Sequence, residues 1–311
     1  MPSPEPPLVP PLPPPGHRTR PATLADVPAI HRLVALCEED LHGHASTGAD
    51  RIAADLTVPG LEPASDTVLV HDDGGEAVGW GWVRGRRATV QVHPRHRGRG
   101  LGAWLLAWVE ARARERGGDR LAQTLADSDH AAVSLLVSRG YSRLVTEWLL
   151  HIATPVEPEV PRPPAGVTVR AFRPGDEQAA YRLTEDAFDE WQQRRKSYAE
   201  WAGHTVGRTT FAPAASPVAF AGDEMVGAVL SLDVPGGEEG YVERVAVRRD
   251  QRGRGIARVL LLEAFRAFQR QGRPGCTLWT HSDTGALSLY EHIGMTVRRS
   301  STVYSRTLGA R

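Results

Sequence analysis

Two segments of this 311-residue chain carry the same design, with Arg97 of the first and Arg252 of the second 155 positions apart. The first reads Val90-Gln91-Val92-His93-Pro94-Arg95-His96-Arg97-Gly98-Arg99-Gly100-Leu101-Gly102. The second reads Val245-Ala246-Val247-Arg248-Arg249-Asp250-Gln251-Arg252-Gly253-Arg254-Gly255-Ile256-Ala257. Each predicts an alternating apolar strand, a basic turn and then an amphipathic helix. Such a strand delivers its end to a glycine-lined helix N-terminus, where unpaired backbone N–H groups gather and anions bind. A segment that recurs at this interval implies two copies of one folding unit.

The chain is long enough for two domains of ordinary size. Its 37 basic and 37 acidic residues balance, which argues against a general nucleic-acid or anionic-membrane binder. The Gly-Arg-Gly runs also permit a reading as nucleic-acid-binding segments, but each lies between a strand and a helix in a neutral chain. Two cysteines, Cys37 and Cys276, make no disulfide framework and fit a reducing compartment. No run of about 20 apolar residues and no secretory leader is evident, so a cytoplasmic setting without membrane contact is expected.

Residues 1–16 are mostly proline and are expected to form a disordered tail. Residues 154–165 hold a second proline-rich stretch that reads as a stiff linker. The expected domains are therefore 17–153 and 166–311. In the first, Thr23–Glu39 predicts a helix with Thr23 and Asp26 in a capping-box arrangement. Strands are predicted at Thr67–Val70, Ala77–Val83 and Ala88–Val92. A helix follows with Leu101, Trp104, Leu105 and Trp108 on one face, then a strand at Leu121–Leu125, a helix at Asp129–Ser138 and a strand at Arg143–Ile152. The second domain repeats this order: strand Val167–Phe172, helix Asp176–Phe188, strands Val218–Ala221, Val226–Leu232 and Tyr241–Val247. A helix with Ala257, Leu261, Ala264, Phe265 and Phe268 on one stripe comes next. Strand Cys276–Thr280, helix Thr284–His292 and strand Thr296–Arg306 complete it. The fold class is α+β: two tandem domains, each a mostly antiparallel mixed sheet flanked by helices.

With both turns placed, the chain resembles the GNAT superfamily of acetyl-coenzyme A-dependent N-acyltransferases. Its Arg/Gln-x-x-Gly-x-Gly/Ala element fits Arg97-Gly100-Gly102 and Arg252-Gly255-Ala257 without a gap. A later helix of that family, Asn-x-x-Ala-x-x-Leu-Tyr-x-x-x-Gly-Phe, is matched by Asp283, Ala286, Leu289, Tyr290, Gly294 and Met295. In the first half it is matched by Asp129, Ala132, Leu135, Leu136, Gly140 and Tyr141. The spacing from Arg97 to Asp129 is 32 and from Arg252 to Asp283 is 31. In length and layout the chain resembles the tandem group that includes mycothiol synthase-like proteins.

The resemblance implies acetyl-coenzyme A as co-substrate and no metal. Its pyrophosphate is expected at Arg252, Gly253, Arg254, Gly255, Ile256 and Ala257, with Asp283 nearby. Its pantetheine arm is expected along Val245, Ala246 and Val247, where the Val245 N–H serves as oxyanion donor. The corresponding first-half set is Val90, Val92, Arg97, Gly98, Arg99, Gly100 and Gly102. Tyr290 stands at the general-acid position, ready to protonate a thiolate whose free pKa is about 8.5. Glu243, two residues before Val245 and so expected on its face of the strand, is the candidate base. Glu239 is a second candidate, and Tyr241 is placed on the same face. Leu136 and Ala88 replace tyrosine and glutamate in the first half, so that half is expected to bind coenzyme A but to be catalytically weak.

The expected reaction is direct acetyl transfer to a primary amine, small or peptidic, by a monomer or homodimer, without an acyl-enzyme at Cys276. Two alternatives stay open: a mycothiol synthase acting on a cysteinyl amino-sugar conjugate, and a non-catalytic acyl-coenzyme A sensor. His42-Gly43-His44 near Cys37 and Asp50 reads as a polar loop in preference to a metal site. Scattered Ser, His and Asp residues lack the nucleophile elbow of a hydrolase. Trp191, Tyr198, Trp201 and His204 are placed either beside the acceptor or in the packing of a helical hairpin.

Overall fold

The two repeated strand–turn–helix segments fall in two different compact units. The computed structural model describes residues 12–45, 47–189, 194–233 and 238–309. Most of the proline-rich tail, and Trp191, lie outside the described residues.

The first unit consists of Met1–Val145 and Ser301–Arg311. Strand β1 (His17–Arg20) leads through a 3-10 turn (Leu24–Asp26) into helix α1 (Val27–His42). Asp26 accepts hydrogen bonds from the Thr23 amide at 2.8 Å and its hydroxyl at 2.9 Å, so the capping arrangement holds, one turn ahead of the α-helix. Ile30, Leu33, Val34 and Cys37 recur at helical spacing and are buried with Leu69 and Trp80. Helices α2 (Ala49–Thr57) and α3 (Pro63–Asp66) follow, then strands β2 (Thr67–Asp72), β3 (Ala77–Arg84) and β4 (Arg87–Val92). Helix α4 (Leu101–Glu115) sets Leu101, Trp104 and Leu105 against Val68, Val70 and Val78. Strand β5 (Arg120–Ala126) and helix α5 (His130–Ser138) come next. The strand order is β1-β2-β3-β4-β5, and the chain's C-terminal strand pairs antiparallel with β5 from Ser301↔Ala126 to Thr307↔Arg120.

The second unit is Thr146–Ser300. Strand β6 (Ser142–Ala153) enters it, followed by β7 (Thr168–Ala171), α6 (Glu177–Phe188), α7 (Tyr198–His204), β8 (Pro217–Ala221) and β9 (Glu224–Asp233). Then come β10 (Gly240–Val247), α8 (Ile256–Arg270), β11 (Gly275–His281) and α9 (Leu287–His292), before β12 (Thr296–Thr307) leads the chain to its end. The strand order is β6-β11-β10-β9-β8-β7. Helix α8 packs closely on β9: a Cβ at Gly227 would lie 2.9 Å from both Ile256 and Leu260. The opening of the first repeat recurs here. Arg20 grips Asp26 at 2.7 and 2.5 Å, and Arg170 grips Asp176 at 2.6 and 2.8 Å.

The domain boundaries expected from sequence need revision. Residues from Thr146 to Ala153, read as the end of the first domain, pair with β11 from His281↔Glu147 to Gly275↔Ala153. The last strand of the second repeat instead completes the first unit's sheet. Local periodicity predicts a strand but carries no information about which sheet accepts it. Residues 154–165 have no helix or strand, as expected, yet they are fastened along the second unit. Thr154 donates to Pro274 O at 2.8 Å, Pro158 O accepts from Arg266, and Glu157 pairs with Arg266 at 3.2 Å and with Arg270.

Candidate functional site

Strands β10 and β11 are parallel neighbours only from Gly240↔Cys276 to Val242↔Leu278. Beyond Val242 they part, while β11 continues paired to β6 as far as His281. A bulge marks the same place. Val242 faces Ser231 on β9 and Arg244 faces Leu230, which leaves Glu243 as the extra residue. Arg248 donates to Val226 O on β9 at 2.9 Å. Ladder groups alternate along a strand, so the N–H and C=O of Val245 and Val247 face away from β9, into the opening. The Val247 carbonyl is met there by Arg252 Nε at 3.2 Å.

The opening is a cleft of about 690 Å³ lined by Glu243 to Val247, Arg252, Gly253, Gly255, Ile256, Ala257 and Tyr290. Gly253 (φ 75°) and Gly255 (φ 85°) hold left-handed backbone, and a Cβ on either would meet nothing within 4 Å. Conformation, not space, therefore requires glycine. Val259 donates to Gly255 O at 3.1 Å, and the amides ahead of it at the start of α8 have no helical partner. Arg254 turns elsewhere: it donates to Ala165 O at 2.9 Å and to Gln251, and it does not line the cleft. Asp283 is also outside the lining, exposed in a 3-10 turn (Ser282–Thr284). The Ala286 amide donates to Thr284 Oγ1 at 3.2 Å, whereas in the first unit Asp129 caps α5 by accepting from the Ala132 amide at 3.0 Å.

Tyr290 is 6% exposed, and burial pushes its phenol up to about 12. Tyr241 is likewise pushed up to about 12, by burial first and then by the nearby Glu243 carboxylate. The bulge breaks the two-residue period and corrects the expected face of Glu243. Val245 packs with the α8-side cluster, while Glu243 lies with Tyr241 and beside Arg244. The Arg244 guanidinium sits 5.5 Å from the Phe188 ring of α6, and burial lowers its pKa.

Glu239 does not have the setting of a base. Arg298 donates to its two oxygens at 2.8 and 2.7 Å, His151 lies 2.9 Å away, and Arg298 holds the carboxyl below its ordinary value. Cys276 is fully buried, and burial drives its thiol far above the usual range. Trp201 is buried and stacks edge-on with Tyr181, so the packing reading applies to it, and neither Tyr198 nor His204 lines the cleft. Sequence reasoning missed Phe188, Arg258, Trp279 and His281, which do line it. Phe188 ends the apolar stripe of α6 and offered the one usable signal.

The first unit keeps the turn and carries Leu136 where the second has Tyr290. Gly98 (φ 73°) and Gly100 (φ 85°) repeat the left-handed pair, and Trp104 donates to Gly100 O at 3.0 Å. A cleft of about 330 Å³ is lined by Val90, Val92, Arg97, Gly98, Gly100, Gly102 and Leu136, without Arg99. Arg97 is held by Asp40 at 2.6 Å. Ala88 faces Val83 in an unbulged ladder, so it matches Val242 and not Glu243. Among the described residues no group of His, Cys, Asp and Glu is arranged to hold a metal, and no helix is long and apolar enough to cross a membrane.

The sequence profile of the acetyltransferase (GNAT) family matches residues 28–141 and 177–295. A mycothiol acetyltransferase of Geodermatophilus obscurus is 32% identical over 269 residues, 82% of this chain and 81% of that protein. One from Streptomyces scabiei (strain 87.22) is 30% identical over 230 residues, 71% of this chain and 72% of that protein. A solved GCN5-related N-acetyltransferase from Sphaerobacter thermophilus is similar at a TM-score of 0.76 and 30% identity, covering 96% of this chain and 98% of that one. A tandem GNAT protein from the clavulanic acid biosynthesis pathway shares the fold at a TM-score of 0.67 and 19% identity, covering 95% and 99%. Two matched regions, each containing one of the two glycine turns, lead to one conclusion: the chain belongs to the GNAT family of acetyltransferases.

Proposed function

We infer that the second unit transfers an acetyl group from acetyl-coenzyme A directly to a primary amine, and that the first unit is catalytically weak. The observation that carries this reading is the meeting of Tyr290, Glu243, the Val245 amide and the Gly253–Gly255 turn in one cleft. The unpaired amides at Gly255–Ala257 suit a pyrophosphate, and Arg252 adds charge beside them. Edge groups of Val245 and Val247 suit the amides of an extended pantetheine arm. The Val245 N–H then lies where a thioester carbonyl gathers negative charge.

Glu243 accepts a proton from the incoming ammonium, directly or through water. The free amine attacks the thioester carbon, the C–N bond forms and the C–S bond breaks. Tyr290 stays protonated at neutral pH and donates to the departing sulfur. Its phenol is a weaker acid than a free thiol of about 8.5. Tyr290 therefore contributes a hydrogen bond that strengthens as charge builds, and the second proton shed by the nitrogen restores the balance.

The mycothiol acetyltransferase relatives favour a narrower second reading, in which the acceptor is a cysteinyl amino-sugar conjugate. Release of free coenzyme A thiol, followed across an amine panel that includes this conjugate, tests both readings. Thiol release with the conjugate alone supports the narrower one. Saturable binding of acetyl-coenzyme A with no thiol release from any amine would replace both with a sensor.

A further inference from the structure

The first unit holds a second chamber, of about 320 Å³, that the acetyl-transfer reading does not use. Trp80, Trp82 and Arg84 of β3 and Arg87, Thr89 and Gln91 of β4 line it, with Glu38 of α1 and Arg51 and Asp55 of α2 opposite. Val90 and Val92 of β4 line the glycine-turn cleft instead. Alternation along β4 therefore puts the two cavities on opposite faces of the strand.

The charges in this chamber are unbalanced at one spot. Glu38 is occupied by the Thr47 amide at 2.9 Å and hydroxyl at 2.5 Å. Asp55 is paired with Arg51 at 3.2 Å. At the hairpin tip Arg86 is satisfied by Asp119, with two bonds of 3.0 Å. Arg84 and Arg87 differ from all of these. They are direct cross-strand neighbours, and neither has an acidic partner among the described residues. Like charges directly opposite one another destabilise a sheet, and an anion between two guanidinium forks removes that repulsion with good geometry. Beside them stands the flat indole of Trp82, and the floor carries Thr89, Gln91 and Thr124, whose side chains make no hydrogen bond among the described residues. A chamber of this size falls at the lower end of small-molecule sites, about 300–1,000 Å³.

We propose that this chamber is a binding site for a small anion, phosphate or carboxylate, carried on a hydroxylated ring. Arg84 and Arg87 hold the charge, the Trp82 indole covers the ring, and Thr89, Gln91 and Thr124 meet its hydroxyls. The site is separate from acetyl transfer in the second unit and stands whether or not that reading does.

Calorimetric titration of the full chain, with coenzyme A present throughout, tests it. The four probes are glucose 6-phosphate, glucuronate, glucose and inorganic phosphate. One of the two anionic sugars is expected to bind at least about tenfold more tightly than glucose or phosphate, and the stronger of them identifies the charged group. The double variant Arg84→Gln with Arg87→Gln is expected to lose at least about tenfold in affinity, and Arg86→Gln to lose none. Should the double variant fail to fold, Arg84→Lys with Arg87→Lys keeps the charge, removes the fork and weakens binding less. The proposal is overturned if none of the four probes binds, if inorganic phosphate alone binds as well as the sugars, or if a double variant with an unchanged melting profile binds as well as the parent.

Discussion

Arg298 and Glu239 are locked in a two-bond fork, 2.7 and 2.8 Å long, within the second unit. The fork occupies both oxygens of Glu239, and Glu243 is the proposed base. Glu239→Gln is therefore expected to keep turnover within about twofold of the parent, while Glu243→Gln loses about 10²-fold or more at neutral pH. The Glu243→Gln deficit should shrink as pH rises toward the acceptor's own pKa, where the amine is free without help. Rate against pH for the two variants checks this. The Arg298 partnership lowers the Glu239 pKa, so the stability it contributes is present above the ordinary carboxylate value and is lost as pH falls through the lowered one.

Tyr290 is buried in the lining of the cleft, and burial pushes its phenol up to about 12. Tyr290→Phe should leave the affinity for acetyl-coenzyme A unchanged and lower kcat by about 10- to 1,000-fold. Equilibrium binding and thiol release, measured on the same preparation, separate the two effects. No fall in activity is expected between pH 6 and 9 from ionisation of this phenol, because its proton stays on throughout.

Gly255 holds φ at 85° with nothing near a would-be Cβ. Gly255→Ala should cost about 1–2 kcal/mol of stability through backbone strain alone. It should also raise the KM for acetyl-coenzyme A more than it lowers kcat, because the turn carries the amides proposed to face the pyrophosphate. Denaturant unfolding and donor-saturation kinetics read the two consequences separately.

Asp176 is held below the ordinary carboxylate value by Arg170. Its contribution is complete above about 3.8, the unfolded value, and disappears as pH falls through the lowered folded one. Asp176→Asn should therefore destabilise the second unit by about 1–3 kcal/mol at neutral pH, with the difference from the parent narrowing in strong acid. Melting temperatures from pH 7 down to pH 2 would show the convergence.

What could be read from the sequence was what the local chain decides. Gly98, Gly100, Gly253 and Gly255 declared their turns because only glycine adopts that backbone freely. The strand–turn–helix repeats followed, as did Leu136 in place of tyrosine. The parts that escaped depend on distant partners. The fate of Glu239 rests on Arg298, 59 residues away. The face of Glu243 rests on a bulge that appears only when β10 is laid against β9. Helix α2 has just Ile52 and Leu56 to bury, too few to announce a stripe. No sequence motif singles out the arginines at 84 and 87, which become neighbours only when the hairpin sets them opposite each other.

The exchange of terminal strands has a consequence for biosynthesis. All of Thr146–Ser300 leaves the ribosome before Ser301–Arg311, the segment that completes the first unit. The half of the chain made first is thus the last able to finish its sheet, and β5 waits with an open edge until Ser301–Thr307 has been made.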